Sequence, residues 1–163
     1  MNDTSKISQL LETLPQIGKV EWIGLRPARK QNMDVVETAV LDQYGLAGDR
    51  YAGNSGKRAV TLIQAEHLPA IAALLHLESV APEFLRRNIV VSGINLLALK
   101  DKQFAIGDAV LEMTGLCHPC SRMEETFGAG GYNAVRGHGG ITARVTKPGK
   151  IKTGDTVRAL NHF

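Results

Sequence analysis

Two cysteines occur in the chain, three positions apart in Cys117-His118-Pro119-Cys120. A lone C-x-x-C step suits metal or redox chemistry better than a structural disulfide. Ser121 and Glu124 have the S-x-x-E spacing of a capping box, which predicts a short helix beginning just after Cys120. Free backbone N–H groups at that helix start, together with Arg122, favour a thiolate, the form that attacks an electrophile or ligates a soft metal. Four uses of the pair stay open on spacing alone: a structural zinc site, a thioredoxin-like dithiol, two small residues packed in a core, or one thiolate holding a cofactor metal. Zinc wants four ligands in two pairs, whereas His67, His76, His138 and His162 stand at no typical spacing. A redox dithiol wants a β-α-β setting, and the flanking text is strand-rich.

A second constellation carries positive charge. Tyr44-Gly45-Leu46-Ala47-Gly48-Asp49-Arg50-Tyr51-Ala52-Gly53 is followed by Gly56-Lys57-Arg58-Ala59-Val60-Thr61-Leu62. A Gly-rich loop carrying Arg50, Lys57 and Arg58 lets N–H groups and guanidinium forks converge on an oxyanion such as phosphate. The string lacks G-x-x-x-x-G-K-[ST], so nucleoside triphosphate hydrolysis is unsupported. A third segment, Phe84-Leu85-Arg86-Arg87-Asn88-Ile89-Val90, places charged and amide groups at a strand start. Strand alternation predicts Arg86 and Asn88 on one side and Arg87 on the other, with one arginine serving a pocket while its neighbour is solvated. Gly137-His138-Gly139-Gly140 precedes another strand and permits close backbone approach, though a plain mobile loop explains it better, and His138 is not taken as a ligand.

These groups need a scaffold. The chain has 163 residues, 44% hydrophobic and 21% charged, which fits one globular domain with an adequate core. The formal charge of +3 is too mild for a nucleic-acid binder on balance alone. Arginines at 50, 58, 86, 87 and 122 suit a local anion pocket better than a basic stripe. No apolar run reaches membrane-spanning length and no secretory leader is evident, so a cytoplasmic location without membrane association is expected. Residues 1–17 are expected to form a helical extension, with Ile7, Leu10, Leu11 and Leu14 at helical spacing before Pro15, acting as a peripheral cover.

From residue 18 the text turns to short β-branched segments at 19–25, 35–41, 59–63, 88–91, 109–113, 141–145 and 156–160, each bounded by turn residues. Helices are expected near 65–75, with Pro69 in the first turn, and 82–85. Pro148-Gly149 predicts a type II turn closing a final β-hairpin. Gly107-Asp108-Ala109-Val110 and Gly154-Asp155-Thr156-Val157 share a step that turns and starts a strand, with Val entering the core. The fold class expected is a mainly β barrel with helical insertions, residues 18–160 forming one domain.

In chain order, Gly48-Asp49-Arg50, Arg58-Ala59-Val60-Thr61-Leu62, Arg86-x-Asn88-Ile89, Ile106-Gly107-Asp108, Pro119-Cys120 and Ala143-Arg144-Val145-x-x-Pro148-Gly149-x-Ile151-x-x-Gly154-Asp155 resemble the MOSC domain, the family named for the C-terminal domain of molybdenum cofactor sulfurases. The likeness is greatest to its small stand-alone bacterial members. The resemblance implies a β-barrel that binds molybdenum cofactor, a pterin dithiolene carrying a phosphate, with Cys120 at the position of the family's metal-ligating cysteine. It implies Arg50, Arg58, Thr61, Arg86 and Asn88 as cofactor-binding residues, with Arg29 as a basic residue of the first loop. Two functions follow as expectations. One is reduction of N-hydroxylated bases or related N-oxygenated compounds, with electrons from a separate donor protein, since two cysteines cannot hold an iron–sulfur cluster unaided. The other is a carrier of molybdenum cofactor or of persulfide sulfur without reductase activity.

Overall fold

The computed structural model describes residues 3–51 and 56–160. Ala52 and Gly53 of the Gly-rich loop, and His162, lie outside the described residues. A helix, α1 (Asp3–Glu12), comes first. It covers little: Ile7, Leu10 and Leu11 are 53 to 72% exposed, although Leu14 beyond it packs on the core.

The strands are β1 (Gly18–Leu25), β2 (Asp34–Val36), β3 (Thr38–Asp42), β4 (Gly45–Leu46), β5 (Val60–Gln64), β6 (Ile89–Ser92), β7 (Gln103–Ile106), β8 (Ala109–Leu116), β9 (Ile141–Lys147), β10 (Gly149–Lys152) and β11 (Thr156–Ala159). Seven of them run β11-β7-β8-β9-β5-β6-β1, and β1 pairs again with β11 through Gly18↔Val157, closing a barrel. Strand β2 hangs on β1, and β10-β3-β4 form a separate small sheet. The helices are α2 (His67–Leu74), α3 (Pro82–Leu85), α4 (Ser121–Phe127) and α5 (Gly131–Val135), with a 3₁₀ turn at Leu96–Leu99. No described helix is long and apolar enough to cross a membrane.

Alternation explains where the helices sit. Along β5 and β6, Val60, Leu62, Ile89 and Val91 point into the barrel core with Phe104, Leu111 and Val157. Ile63 and Val90 point outward and pack with Ile71, Leu85, Met123 and Val135 from the helices. Both faces of β5 are thus buried, which is why Val60 to Gln64 holds only one strongly polar residue.

Strands β5 and β6 are the one parallel pair among the described ladders, with Leu62 opposite Ile89. Their starts therefore lie at the same end of the barrel. Strand β1 runs antiparallel to β6, with Ile23 opposite Ile89, so its C-terminal end arrives there too. Residues just before β5, just before β6 and just after β1 are brought together by this topology.

Several expectations need correction. The segment 35–41 is two strands, β2 and β3, broken at Glu37. Strands β4, β7 and β10 and helix α5 were not expected. Pro148-Gly149 does not close a hairpin: β9 pairs with β5 and β8, whereas β10 crosses to β3 with Gly149 opposite Leu41. Gly149 lacks the positive φ of a type II turn. In the first Gly-Asp step Ala109, not Val110, is the fully buried residue, while Val157 does enter the core.

Candidate functional site

Helix α4 begins where the S-x-x-E spacing of Ser121 and Glu124 predicts, with Cys120 as its N-cap residue in extended conformation. The capping box itself does not form. Ser121 already lies inside the helix, and the Glu124 carboxylate instead accepts the N–H groups of Gly130 at 2.7 Å and Tyr132 at 2.9 Å. Those two bonds hold Glu124 below the ordinary carboxylate range and cap α5, so the acidic residue serves the next helix. The two thiols differ sharply: Cys117 is buried and Cys120 exposed, and both are free. Among the described residues no three His, Cys, Asp or Glu side chains converge as a metal cluster would require.

Cys120 opens onto a cavity of about 590 Å³. Arg26, Arg29, Arg50, Arg58, Arg86, Arg87 and Arg122 line it together with Lys30, against one carboxylate, Glu125. Arg29, Arg50, Arg58, Thr61, Arg86 and Cys120 from the sequence analysis all reach this cavity. Asn88 does not line it.

Asn88 is fully buried one layer below. Its Oδ1 accepts from Arg26 Nη2 at 3.0 Å, Thr61 N at 3.1 Å and Thr61 Oγ1 at 3.2 Å. Its Nδ2 donates to Gly24 O at 3.0 Å and Asp49 Oδ1 at 3.1 Å. The amide is thereby saturated, and it stitches β1, β5 and β6 together under the cavity floor. Arg26, which directly follows β1, completes the layer: its Nη2 and Nε bond Asp49 at 2.9 and 3.1 Å, with both residues buried. Burial pushes the Asp49 carboxyl up, but the hydrogen bonds and charge of Arg26, with backbone N–H groups of Arg26 and Tyr51, hold it below its ordinary value. The Tyr51 ring lies under two guanidinium groups, 4.4 Å from that of Arg26 and 4.3 Å from that of Arg50.

The two adjacent arginines defy the alternation argument because residues 86 to 88 precede β6 and do not belong to it. Arg86 is left-handed, with φ of 55°, and donates to the carbonyls of Gln31 at 2.5 Å and Ala28 at 3.2 Å, pinning the first loop to the rim. Burial lowers its pKa, and Arg122, Arg26 and Arg50 add to that. Arg87 is not solvated; it is 7% exposed. Its guanidinium donates only to carbonyls, those of Gly139 at 2.8 Å, Leu85 at 2.9 Å, His118 at 3.3 Å and Cys117 at 3.5 Å. Among the described residues no carboxylate compensates this charge, and burial lowers the Arg87 pKa while Cys117 and Cys120 oppose that. The Nε of Arg50 is likewise buried, with no partner among the described residues. The guanidinium of Arg87, the orphaned donor of Arg50 and the exposed thiol thus line one cavity, an arrangement whose charge and free donor favour an anion.

Sequence reasoning singled out Arg87 and Arg122 for charge alone and missed Arg26, Lys30 and Tyr51. The signal for Arg26 is its place immediately after a strand.

The comparisons bear on this geometry. A search of curated proteins finds no match. Among solved structures, the YuaD protein from Bacillus subtilis superposes with a TM-score of 0.79 at 19% identity, covering 93% of this chain and 100% of that one. YiiM from Escherichia coli gives 0.69 at 19% identity over 89% of this chain and 71% of that one. YiiM from Geobacillus stearothermophilus gives 0.73 at 13% identity over 88% and 75%. These likenesses establish the fold. The MOSC domain family model matches residues 45–158, so the chain, with its closed barrel and its thiol at a basic cavity, belongs to the MOSC domain family, which is known to bind molybdenum cofactor.

Proposed function

We propose that this protein binds molybdenum cofactor in the basic cavity, with Cys120 as the protein ligand of molybdenum, and reduces N-hydroxylated bases or related N-oxygenated compounds. The observation that carries the reading is the exposed Cys120 thiol on a cavity whose buried Arg87 has no carboxylate partner. The cavity fits a phosphate-bearing pterin: Arg29, Arg50, Arg58 and Arg86 supply guanidinium forks, while Thr61 lies at the floor with its hydroxyl proton given to Asn88. Asn88 serves from beneath, fixing Arg26 and Thr61 and leaving the ligand to the rim. The cofactor supplies two-electron oxygen-transfer chemistry, while the chain orients it and screens it from water. In the net reaction the N–O bond breaks, two electrons and two protons enter, and the products are the amine and water. The electrons come from a separate donor protein, and the site of action is the cytoplasm.

Metal analysis of protein from a molybdate-fed host tests this. The expected result is stoichiometric molybdenum, loss of it in Cys120→Ser, and reduction of an N-hydroxylated purine with an artificial electron donor. Loaded protein inert to every such substrate overturns the reductase in favour of a cofactor carrier. Cyanide-labile sulfur on Cys120 without molybdenum indicates persulfide transfer.

A further inference from the structure

Cofactor binding employs Cys120 and leaves Cys117 without a task. Cys117 is 5% exposed, yet it belongs to neither of the two apolar clusters formed by the described residues, so core packing does not account for a thiol at this position. Both cysteines are free and both line the basic cavity. Both also act electrostatically on one guanidinium, that of Arg87, which places the two sulfurs around a common neighbour.

The backbone holds the two thiols differently. Cys117 directly follows β8 and is pinned from two sides: its N–H donates to Gly140 O at 2.9 Å, and its carbonyl accepts from Arg87 at 3.5 Å. The next carbonyl, that of His118, accepts from the same guanidinium at 3.3 Å. Cys120 is the free arm. Its thiol is exposed and makes no capping hydrogen bond to α4. A solvent-borne oxidant therefore meets Cys120 first, with a fixed second thiol three positions back in the chain, the spacing of dithiol–disulfide couples.

We propose that Cys117 and Cys120 are a modification site, closing a reversible disulfide in the cofactor-free protein with Cys120 as the thiol first oxidised and Cys117 as the resolving thiol. Hydrogen peroxide is the oxidant. The Cys120 sulfur attacks it, the O–O bond breaks, and Cys120 sulfenic acid and one water form. The Cys117 sulfur then displaces the hydroxyl: an S–S bond forms, the S–O bond breaks, and a second water leaves with the Cys117 proton. One peroxide is reduced to two waters while the two thiols lose two electrons, and an external dithiol reverses the change by exchange. A disulfide sulfur offers no thiolate to a metal, so the oxidised chain does not take molybdenum, a consequence that rests on the reading of Cys120 as the metal ligand. The crosslink also keeps the exposed sulfur from the irreversible sulfinic and sulfonic stages.

The test uses the full chain purified from a host grown without molybdate, treated with hydrogen peroxide and followed by intact-mass and peptide mass spectrometry, with maleimide reporting free thiols after unfolding. The parent is expected to lose about 2 Da, to fall from two reactive thiols to none, and to regain both with dithiothreitol. In Cys117→Ala, a small change at a buried position, Cys120 is expected instead to gain oxygen, about 16 Da per atom, or to link two chains. Oxygen added at Cys120 of the parent while Cys117 still takes maleimide, or a crosslink between two chains as the parent's main product, overturns the proposal. So does a Cys117→Ala chain whose Cys120 stays unreacted. Molybdenum-loaded protein is expected to resist the crosslink because Cys120 is engaged, and loss of both thiols at the rate of the empty chain overturns the link to metal binding. Failure of the cofactor reading shows instead in the molybdenum content and the Cys120→Ser result, which the masses of the empty chain do not touch.

Discussion

Arg87 and Gly139 are joined by a 2.8 Å hydrogen bond from the guanidinium Nε to the glycine carbonyl, and through it one buried cation holds the turn before β9 against the loop that carries the cysteines. The approach is close enough that a Cβ on Gly139 would stand 2.1 Å from the Cys117 carbonyl oxygen. Removing the cation leaves four carbonyls short of a donor. Arg87→Leu is therefore expected to lose about 2–4 kcal/mol in urea unfolding. Arg87→Lys, which keeps the charge but lacks the fork, is expected to fall between it and the parent. Equal stability of all three chains would contradict the role assigned to the guanidinium.

Asn88→Ala should cost about 2–4 kcal/mol, because it strips partners from Arg26, Thr61 and Gly24 in a dry layer. Asn88→Asp should behave differently with pH. Its new carboxylate would stand where an amide now donates to Asp49 at 3.1 Å, so the penalty should grow as pH rises through the carboxylate range. Chemical denaturation at pH 4 and pH 7, compared with the parent, measures this.

The Arg26–Asp49 pair sets an acid limb. The folded pKa of Asp49 lies below its ordinary 3.8, so its stabilisation is complete above that value and is lost as pH falls through the folded pKa. Asp49→Asn should be destabilised at neutral pH, by about 3–5 kcal/mol, for it leaves Arg26 buried without its counter-ion. Its unfolding midpoint should also lose part of the acid dependence seen in the parent.

His67 acts at milder pH. Burial, and after it the neighbouring His138, lower its pKa below 6.5, with Glu66 opposing. The folded protein thus binds fewer protons than the unfolded chain, and stability should decline as pH drops from 6.5 toward the folded pKa. His67→Gln should flatten that decline in thermal melts collected between pH 7.5 and 5.5; an unchanged slope would assign the dependence elsewhere.

Two neighbouring glycines should respond unequally to alanine. Gly140 has a φ of 88°, and a Cβ there would lie 1.9 Å from the Leu62 carbonyl oxygen, so Gly140→Ala should cost about 3 kcal/mol or more. Gly137 has a φ of 80° but open space around it, so Gly137→Ala should show the backbone strain alone, about 1–2 kcal/mol. Denaturation midpoints of the two variants give the comparison.

The residues that sequence made legible are those whose placement depends on local rules. Cys120 at a helix start follows from the helix signal itself, and Arg50, Arg58 and Arg86 follow from lying beside glycines or strand starts. What stayed hidden depends on partners distant in the chain. Arg87 reads as a solvated neighbour of Arg86 until the carbonyls of residues 117, 118 and 139 fold around it. Glu124 reads as a capping-box acid because its true acceptor role lies toward α5, a helix too short and Gly-rich to announce itself. Strand β10 was lost because Pro148-Gly149 is a strong local turn signal that pairing with β3 overrides.

The closure of the barrel has a consequence for how the chain matures. Gly18 and Lys19 find their partners on β11 only at Val157 and Thr156, so although β1 also pairs with β2 and β6, the barrel stays open at this seam until β11 has been made. That seam lies at the end of β1 away from Arg26, whose strand end is flanked by β2. A chain cut before β11 therefore keeps every residue that lines the basic cavity and lacks only the strand that closes the barrel.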